Sequence, residues 1–170
     1  MSAGADPRAE VIRVARALDD AGLMPNKSGN VSCRVPGGFV ITPSALPYAD
    51  LQPALLAGLP LPAPAAIPAG GARPSSEGGL HAALYAARPE VGAVVHTHSP
   101  RATAFGAAGR GSPPFHYMIA LAGGAIRCMP YATFGSEALA QAALAGLWRR
   151  RAVLLANHGV VAVGATPARA

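Results

Sequence analysis

Two runs of small and β-branched apolar residues end in histidine, and this pattern constrains the fold of the chain more than any other. His96 and His98 directly follow the run "VGAVV", and His158 follows the run "AVLLAN". Because side chains alternate between the two faces of a strand, His96 and His98 point to the same face. Two imidazoles on one face can bind one metal ion. The alternative without a metal is that one of the two is a core histidine satisfied by hydrogen bonds and that the other lies in a loop.

Helices are predicted to alternate with strands, several of which form hairpins. Apolar periodicity and capping residues predict helices over residues 8–21, 77–87, 100–109 and 136–150. Short apolar runs predict strands in "NVSCRV", "FVIT", "VGAVVHTH", "IRCMPYAT", "AVLLANHG" and "VVAVG". These elements indicate an α/β fold, a three-layer sandwich in which helices flank a central mixed, mostly antiparallel sheet. The length of 170 residues predicts a single domain over residues 1–170.

Two further predictions concern the segment before the second helix. Residues 52–74 are rich in proline and alanine without a period, which predicts a surface connection. The helix over 77–87 follows "PSS", and we expect a serine to cap it.

The composition favours a small anionic substrate over nucleic acid or a membrane. The net charge is +6, but the basic residues are scattered and Lys27 is the only lysine. Apolar stretches are interrupted by Pro, Gly or His before they reach the length of a membrane span. Cys33 and Cys128 lack the spacing of a metal or redox motif. Reduced thiols in a cytoplasmic protein, without a signal peptide, are therefore expected.

His158 could complete a three-histidine site with His96 and His98, because strand ends are where a sheet presents functional groups. Three histidines plus an open position form the ligand set of a catalytic zinc ion. By itself, "NHG" at 157–159 is equally typical of a turn with an incidental histidine.

Carboxylates are scarce beyond residue 51, where the chain has only Glu77, Glu90 and Glu137. Glu90 follows a proline in a predicted exposed turn, and Glu137 is explained by the dipole at the start of a helix. Glu77 has the same structural explanation, but it directly follows "PSS". The two hydroxyls and the free backbone N–H groups of that helix start can bind an anion.

Two other turns are rich in hydroxyl or amide donors. They are "KSGNVS" at 27–32 and "TPSA" at 42–45. Each alone is an ordinary turn, but together with "PSSE" they could close around a phosphate.

Five segments together resemble the class II aldolase/adducin family. In chain order they are "GLMPNKSGNVSCR", "ITPSALPY", "RPSSEGGLHAALYAARPEVGAVVHTHSP", "HYMIALAGGAIRCMPYATFGSEAL" and "LLANHGVVAVG". The resemblance implies the class II aldolase-like fold and zinc as the cofactor, bound by His96, His98 and His158. It also implies that Glu77 contacts the resting zinc and serves as the acid/base.

Further roles follow from the same resemblance. The positions that match the family's phosphate-binding residues are Gly29, Asn30, Ser44, Ser75 and Ser76. Tyr117 matches a tyrosine that reaches the substrate at a subunit boundary, which implies a homo-oligomer, most plainly a homotetramer. His81 and His116 lie in matching segments but are interpreted as structural.

The chain departs from the family pattern at three positions and at its end. Ala45 replaces a glycine, which would restrict the approach of backbone to phosphate. Asn26 and Lys27 replace "GT", and Lys27 could add a charge contact to phosphate. Family members also continue beyond the last residues with a helix and a tail that can contribute to the site. The chain is therefore expected to be either a fragment or a truncated enzyme.

The implied activity is the reversible cleavage of a 1-phosphoketose, such as one similar to L-fuculose 1-phosphate, to dihydroxyacetone phosphate and an aldehyde. Zinc would stabilise the enediolate as a Lewis acid, and Glu77 would transfer the proton. Two enzymatic alternatives use the same site, an L-ribulose-5-phosphate 4-epimerase-like reaction and a sugar-phosphate dehydratase reaction. An adducin-like interaction module without catalysis is the alternative of another class, and loss of the three histidines would favour it.

Overall fold

The computed structural model describes residues 6–62 and 72–170. Its α-helices in these ranges are α1 (Pro7–Asp20), α2 (Gly78–Ala87), α3 (Pro100–Ala107) and α4 (Glu137–Gly146). Its strands are β1 (Asn30–Val35), β2 (Gly38–Ile41), β3 (Ala57–Pro60), β4 (Ala93–Thr97), β5 (Arg127–Met129), β6 (Ala152–Leu155) and β7 (Gly159–Gly164). Among the described helices, none combines the length and the apolar character needed to span a membrane.

The strands form one seven-stranded sheet in the order β3-β2-β1-β4-β7-β6-β5. Neighbouring strands are antiparallel except β5 and β6, which run parallel. The predicted hairpins are present as β1–β2 and β6–β7. The prediction of a mixed, mostly antiparallel sheet is therefore confirmed.

Helices cover both faces of this sheet. Val94 and Val95 are consecutive buried residues of β4, and they enter different apolar cores because their side chains point to opposite faces. Val95 packs in the core that includes Val11 of α1. Val94 packs in the core that includes Leu84 of α2 and Leu139 of α4. The sheet is thus the middle of three layers, as predicted.

Two local predictions were wrong. Residues 52–74 are not only a connection, because they contain β3, which pairs with β2 at the edge of the sheet. An edge strand tolerates Pro60, so the proline-rich composition concealed it. The serine cap is also absent, since Glu77 occupies the N-cap position of α2 without a side-chain cap hydrogen bond. The rest of the predicted connection, residues 63–71, lies outside the described residues.

The register of the central strands directs the polar residues toward α2. His96 lies two residues after Val94 and therefore faces the side of α2 and α4. Asn30 of β1 is paired with His96, so both side chains emerge on that face beside the start of α2. The ends of the central strands and the N-terminus of one helix therefore converge on one place.

We expect Gly146→Ala to lower the free energy of unfolding by about 1–3 kcal/mol, although alanine favours helix. Gly146 ends α4 against the sheet, and an added Cβ would clash with Val153 Cγ2 and lie 2.8 Å from Met129 Cγ. Gly79→Ala is the matched control, because its Cβ would meet no atom within 4 Å. Urea unfolding that ranked the two variants in the opposite order would contradict this packing.

Candidate metal centre and active site

Three histidines converge where β4 ends and the β6–β7 hairpin turns. The potential ligand atoms of His96, His98 and His158 lie within 4.8 Å of one another. The Nε2 atoms of His96 and His98 are 2.9 Å apart. His96 is fully buried, and the other two are partly exposed toward a cavity. The structure therefore brings together the three residues that the sequence placed at strand ends.

The hairpin turn packs directly against these rings. Asn157 has a φ of 53°, a left-handed conformation that asparagine tolerates better than most residues. At Gly159, an added Cβ would clash with the carbonyl oxygen of Thr97 and lie 3.1 Å from His98 Cδ2. Only glycine therefore allows the turn to approach β4 closely enough to place His158 beside the other two histidines.

Glu77 completes the cluster from the start of α2. Its Oε2 lies 3.0 Å from His96 Nε2, and its Oε1 lies 3.2 Å from His158 Nε2. Asn30 Nδ2 donates a hydrogen bond of 3.0 Å to Oε2. Burial raises the pKa of the Glu77 carboxyl, but the adjacent His158 and His96 side chains outweigh burial and hold this pKa well below its usual range. Glu77 is therefore a buried carboxylate at neutral pH.

The donor atoms of the cluster fit a divalent metal ion. His96 Nδ1 lies 3.0 Å from the carbonyl oxygen of Val160, which can only accept, so Nδ1 carries the proton. In neutral His96 the lone pair of Nε2 then faces Glu77 Oε2 and His98 Nε2. Such electron-rich atoms repel unless a shared cation or proton lies between them. Three imidazole nitrogens and a carboxylate are a ligand set that zinc accepts.

His98 is also in the state that binds a metal. Burial, followed by the charges of His96 and His158, lowers the pKa of His98 to about 4. Its imidazole is therefore neutral at pH 7 and free to donate a lone pair. The hydrogen bond from His96 to Val160 fixes the ring of His96 from the side opposite the cluster, as outer contacts of metal ligands commonly do.

A polar cavity adjoins the carboxylate of Glu77. Its volume is about 230 Å³, and it contains the five residues predicted to bind phosphate, namely Gly29, Asn30, Ser44, Ser75 and Ser76. Ala45, the replacement for the family glycine, also lines it and has a φ of 61°. Alanine thus adopts the left-handed conformation that glycine would adopt without strain.

A second cavity of about 470 Å³ is also lined by Glu77. It shares Ser28, Ser76 and Glu77 with the polar cavity and also contains His98 and His158. Sequence reasoning gave no role to the other residues that line it, which are Thr103, Tyr131, Ala132, Phe134 and Asn157. The aromatic pair within "PYATF" was one available signal, but it has no periodicity that separates a site from a core.

Tyr117 and His81 lie away from the cluster. Tyr117 is 81% exposed at the start of the 3₁₀ turn Tyr117–Ala122, and it lines neither cavity of its own chain. His81 is fully buried, with Nδ1 2.6 Å from Ser32 Oγ, which in turn lies 2.7 Å from the hydroxyl of Tyr85. This network ties α2 to β1, which agrees with the structural interpretation of His81.

Comparison with known proteins defines the family. The family described as "Class II Aldolase and Adducin N-terminal domain" matches residues 9–170. The chain belongs to this family. The match covers every strand of the sheet and both cavities.

Individual relatives carry aldolase names. The chain is 45% identical over 157 residues to the 5-methylthioribulose-1-phosphate/5-deoxyribulose-1-phosphate aldolase of Rhodospirillum rubrum, covering 92% of this chain and 70% of that one. It is 38% identical to the L-fuculose phosphate aldolase of Escherichia coli, covering 90% and 70%. A solved L-fuculose 1-phosphate aldolase superposes with a TM-score of 0.87 at 32% identity, covering 95% and 76%. The prediction of an enzyme of the class II aldolase type is thereby confirmed.

We expect the chain to bind one divalent cation through the three histidines. After zinc loading and desalting, metal analysis should give close to one zinc per parent chain and little in His96→Ala or His158→Ala. His116→Ala is the matched control, because His116 is exposed on the loop before Tyr117. Full zinc occupancy in His96→Ala would contradict the assignment.

The free energy of unfolding of the metal-free chain should fall as the pH is lowered below 6.5. Burial lowers the pKa of His81 from 6.5 to about 3, so between these values the unfolded chain binds a proton at this residue and the folded chain does not. His81→Gln removes that difference and should reduce the slope by up to ~1.4 kcal/mol per pH unit. Urea unfolding from pH 5 to 6.5 measures the slope, with His116→Gln as control. Equal slopes for parent and His81→Gln would refute this reading of His81.

Proposed function

We propose that this chain is a zinc-dependent aldolase that reversibly cleaves a 1-phosphoketose to dihydroxyacetone phosphate and an aldehyde. One observation carries the proposal. The buried carboxylate of Glu77 lies where the three-histidine cluster, the polar cavity and the second cavity meet. A ketose with its phosphate in the polar cavity would place its reacting carbons beside this carboxylate.

The polar cavity would hold the phosphate end of the substrate. The hydroxyl of Ser75 accepts a hydrogen bond of 3.3 Å from the backbone nitrogen of Glu77 and keeps its own proton for the ligand. Gly29, Asn30, Ser44 and Ser76 line the same space. Binding at this remote group orients the bond that reacts, so part of the binding energy is used to raise the rate.

Glu77 would move the proton. As a carboxylate at neutral pH, it can take the C3 proton of dihydroxyacetone phosphate in the condensation direction and return it after cleavage. Asn30 orients this carboxylate through the hydrogen bond to Oε2. A zinc ion held by His96, His98 and His158 would supply a Lewis acid for the negative charge that develops on the ketose oxygens.

The second cavity favours an apolar aldehyde end. Tyr131, Ala132 and Phe134 line this cavity and do not line the phosphate cavity. The R. rubrum relative is named for 5-deoxy and 5-methylthio pentulose phosphates, whose cleavage between C3 and C4 leaves a two-carbon aldehyde part without a free hydroxyl. We therefore propose 5-deoxypentulose 1-phosphates as the preferred class, with L-fuculose 1-phosphate as the second candidate on the basis of the E. coli relative.

A homotetramer is part of the proposal. Tyr117 cannot serve the cavities of its own chain, and the loop around it exposes Phe115, Met118 and Leu121. An exposed apolar loop is typical of a subunit contact, and a closed ring would bring each Tyr117 to a neighbouring site. We also propose the cytoplasm as the compartment, since Cys33 and Cys128 are both free thiols.

A screen of phosphorylated ketoses for release of dihydroxyacetone phosphate tests the proposed reaction. The zinc-loaded chain should release this product from 5-deoxyribulose 1-phosphate faster than from L-fuculose 1-phosphate, and a chelator should abolish both. Interconversion of pentulose 5-phosphates without release would instead identify an epimerase. Inactivity of the zinc-loaded chain on every 1-phosphoketose would reject the proposal.

Glu77→Gln should keep most of its zinc and lose proton exchange. The amide keeps the size of the side chain but removes the base beside C3, so exchange of the C3 hydrogen of dihydroxyacetone phosphate with deuterated water should slow by roughly 10²–10⁴-fold. NMR follows the exchange. Glu90→Gln is the matched control, because Glu90 is exposed and paired with Arg88 at 2.8 Å. Exchange at the parent rate in Glu77→Gln would show that Glu77 is not the base and only occupies the N-cap position of α2.

A further inference from the structure

The polar cavity beside Glu77 contains one cation among the residues that line it, Lys27. Its other lining residues offer hydroxyl, amide and backbone groups, apart from the carboxyl of Glu77. A phosphate with a charge between −1 and −2 that entered this cavity would find its positive charge only at Lys27 among the lining residues. Hydroxyl and amide donors alone do not neutralise that charge, and an ammonium group at the rim does.

The side chain of Lys27 is held by an acidic residue at the rim. Lys27 Nζ lies 2.6 Å from Asp19 Oδ2, near the end of α1, with 45% of the lysine side chain exposed. The same nitrogen lies 5.8 Å from the centre of the Tyr48 ring, and Tyr48 also lines the cavity. The aspartate side chain is 20% exposed, so both partners of the ion pair reach solvent, where such pairs are weak and a ligand of higher charge can displace Asp19.

The backbone of Lys27, in contrast, is fixed. Its N–H donates to Met24 at 3.1 Å, and its carbonyl oxygen lies 3.4 Å from the hydroxyl of Tyr48. That hydroxyl donates its proton to the carbonyl oxygen of Gly29 and thereby stays beside the backbone of Lys27. The φ of Lys27 is 59°, so the residue keeps a left-handed conformation within these contacts. A ligand would therefore move only the side chain of Lys27, whose flexible carbon chain carries the donor atom Nζ.

We propose that Lys27 is a phosphate-binding residue that exchanges partners, bound to Asp19 in the empty cavity and to the phosphate of the ligand in the filled one. Asp19 then acts as an internal competitor that keeps the lysine at the rim. This proposal rests on the proposed function, because it requires the polar cavity to be the phosphate site.

Titration of the chain with inorganic phosphate by calorimetry tests the exchange. Lys27→Met should weaken phosphate binding by about 10-fold to 100-fold, the usual cost of losing a charged hydrogen bond. Lys27→Arg keeps the charge and the left-handed strain, and should retain most of the affinity. Asp19→Asn removes the competitor and should strengthen binding by about two- to fivefold, the size expected for an exposed ion pair.

Two controls separate partner exchange from a general effect of charge. Asp20→Asn removes a neighbouring, exposed acid that makes no ion pair with Lys27, and it should leave phosphate affinity unchanged. In the Lys27→Met background, Asp19→Asn should no longer strengthen binding, because its effect acts through the lysine. Equal affinities in the parent and Lys27→Met, or a gain from Asp19→Asn that persists without the lysine, would overturn the proposal.

This experiment requires no turnover, so its outcome is independent of the aldolase assay. Phosphate binding that follows the variants as described, in a chain that cleaves no ketose, would support Lys27 and reject the proposed reaction. Cleavage of a 1-phosphoketose with phosphate affinity insensitive to Lys27 would support the reaction and reject the exchange. A parent chain that binds no phosphate at millimolar concentration would also overturn the role of Lys27.

Discussion

The contact between a buried carboxylate and two imidazoles is the interaction on which the rest of the structure depends. Glu77 is 4% exposed and lies 3.0 Å from His96 and 3.2 Å from His158. A buried carboxylate is costly unless it is paired, and His96, whose Nδ1 is directed at the carbonyl oxygen of Val160, presents to it an Nε2 atom that needs a cation or a proton between the two. A shared cation resolves this conflict, and it also gives Glu77 and the histidines a common role. Packing alone would not favour a carboxylate and three imidazoles together at the ends of the central strands.

The sheet makes this contact possible because its central strands are antiparallel neighbours. The pairing of β1 with β4 places Asn30 opposite His96, and the pairing of β4 with β7 brings the hairpin that carries His158 alongside. The N-terminus of α2, in the helical layer on that face of the sheet, places Glu77 beside these residues. No two of these groups are close in sequence except His96 and His98, so the site forms only when the three layers have assembled.

The sequence predicted the central features of this arrangement and missed the local ones. Strand ends marked by histidine, and a carboxylate in a chain with few of them, were visible because polar residues interrupt an apolar pattern. The strand β3 was not, because "AGLP" has the composition of a loop and is ordered only by pairing with β2. The place of Tyr131, Ala132 and Phe134 beside the site was likewise not predictable, since both aromatic side chains are largely exposed and their position depends on packing between distant segments. The pairing of Lys27 with Asp19 depends on the close approach of α1 to a turn, which no spacing in the sequence encodes.

X-ray absorption at the zinc edge of the zinc-loaded chain tests most directly whether the histidine cluster is a metal centre. We expect a first coordination shell with three imidazole nitrogens at ~2.0–2.1 Å, with the outer-ring scattering that is characteristic of histidine. The remaining scattering should come from oxygen, supplied by Glu77 or by a ligand. A spectrum with oxygen neighbours alone, or with a single histidine, would show that zinc binds elsewhere and would contradict the central claim.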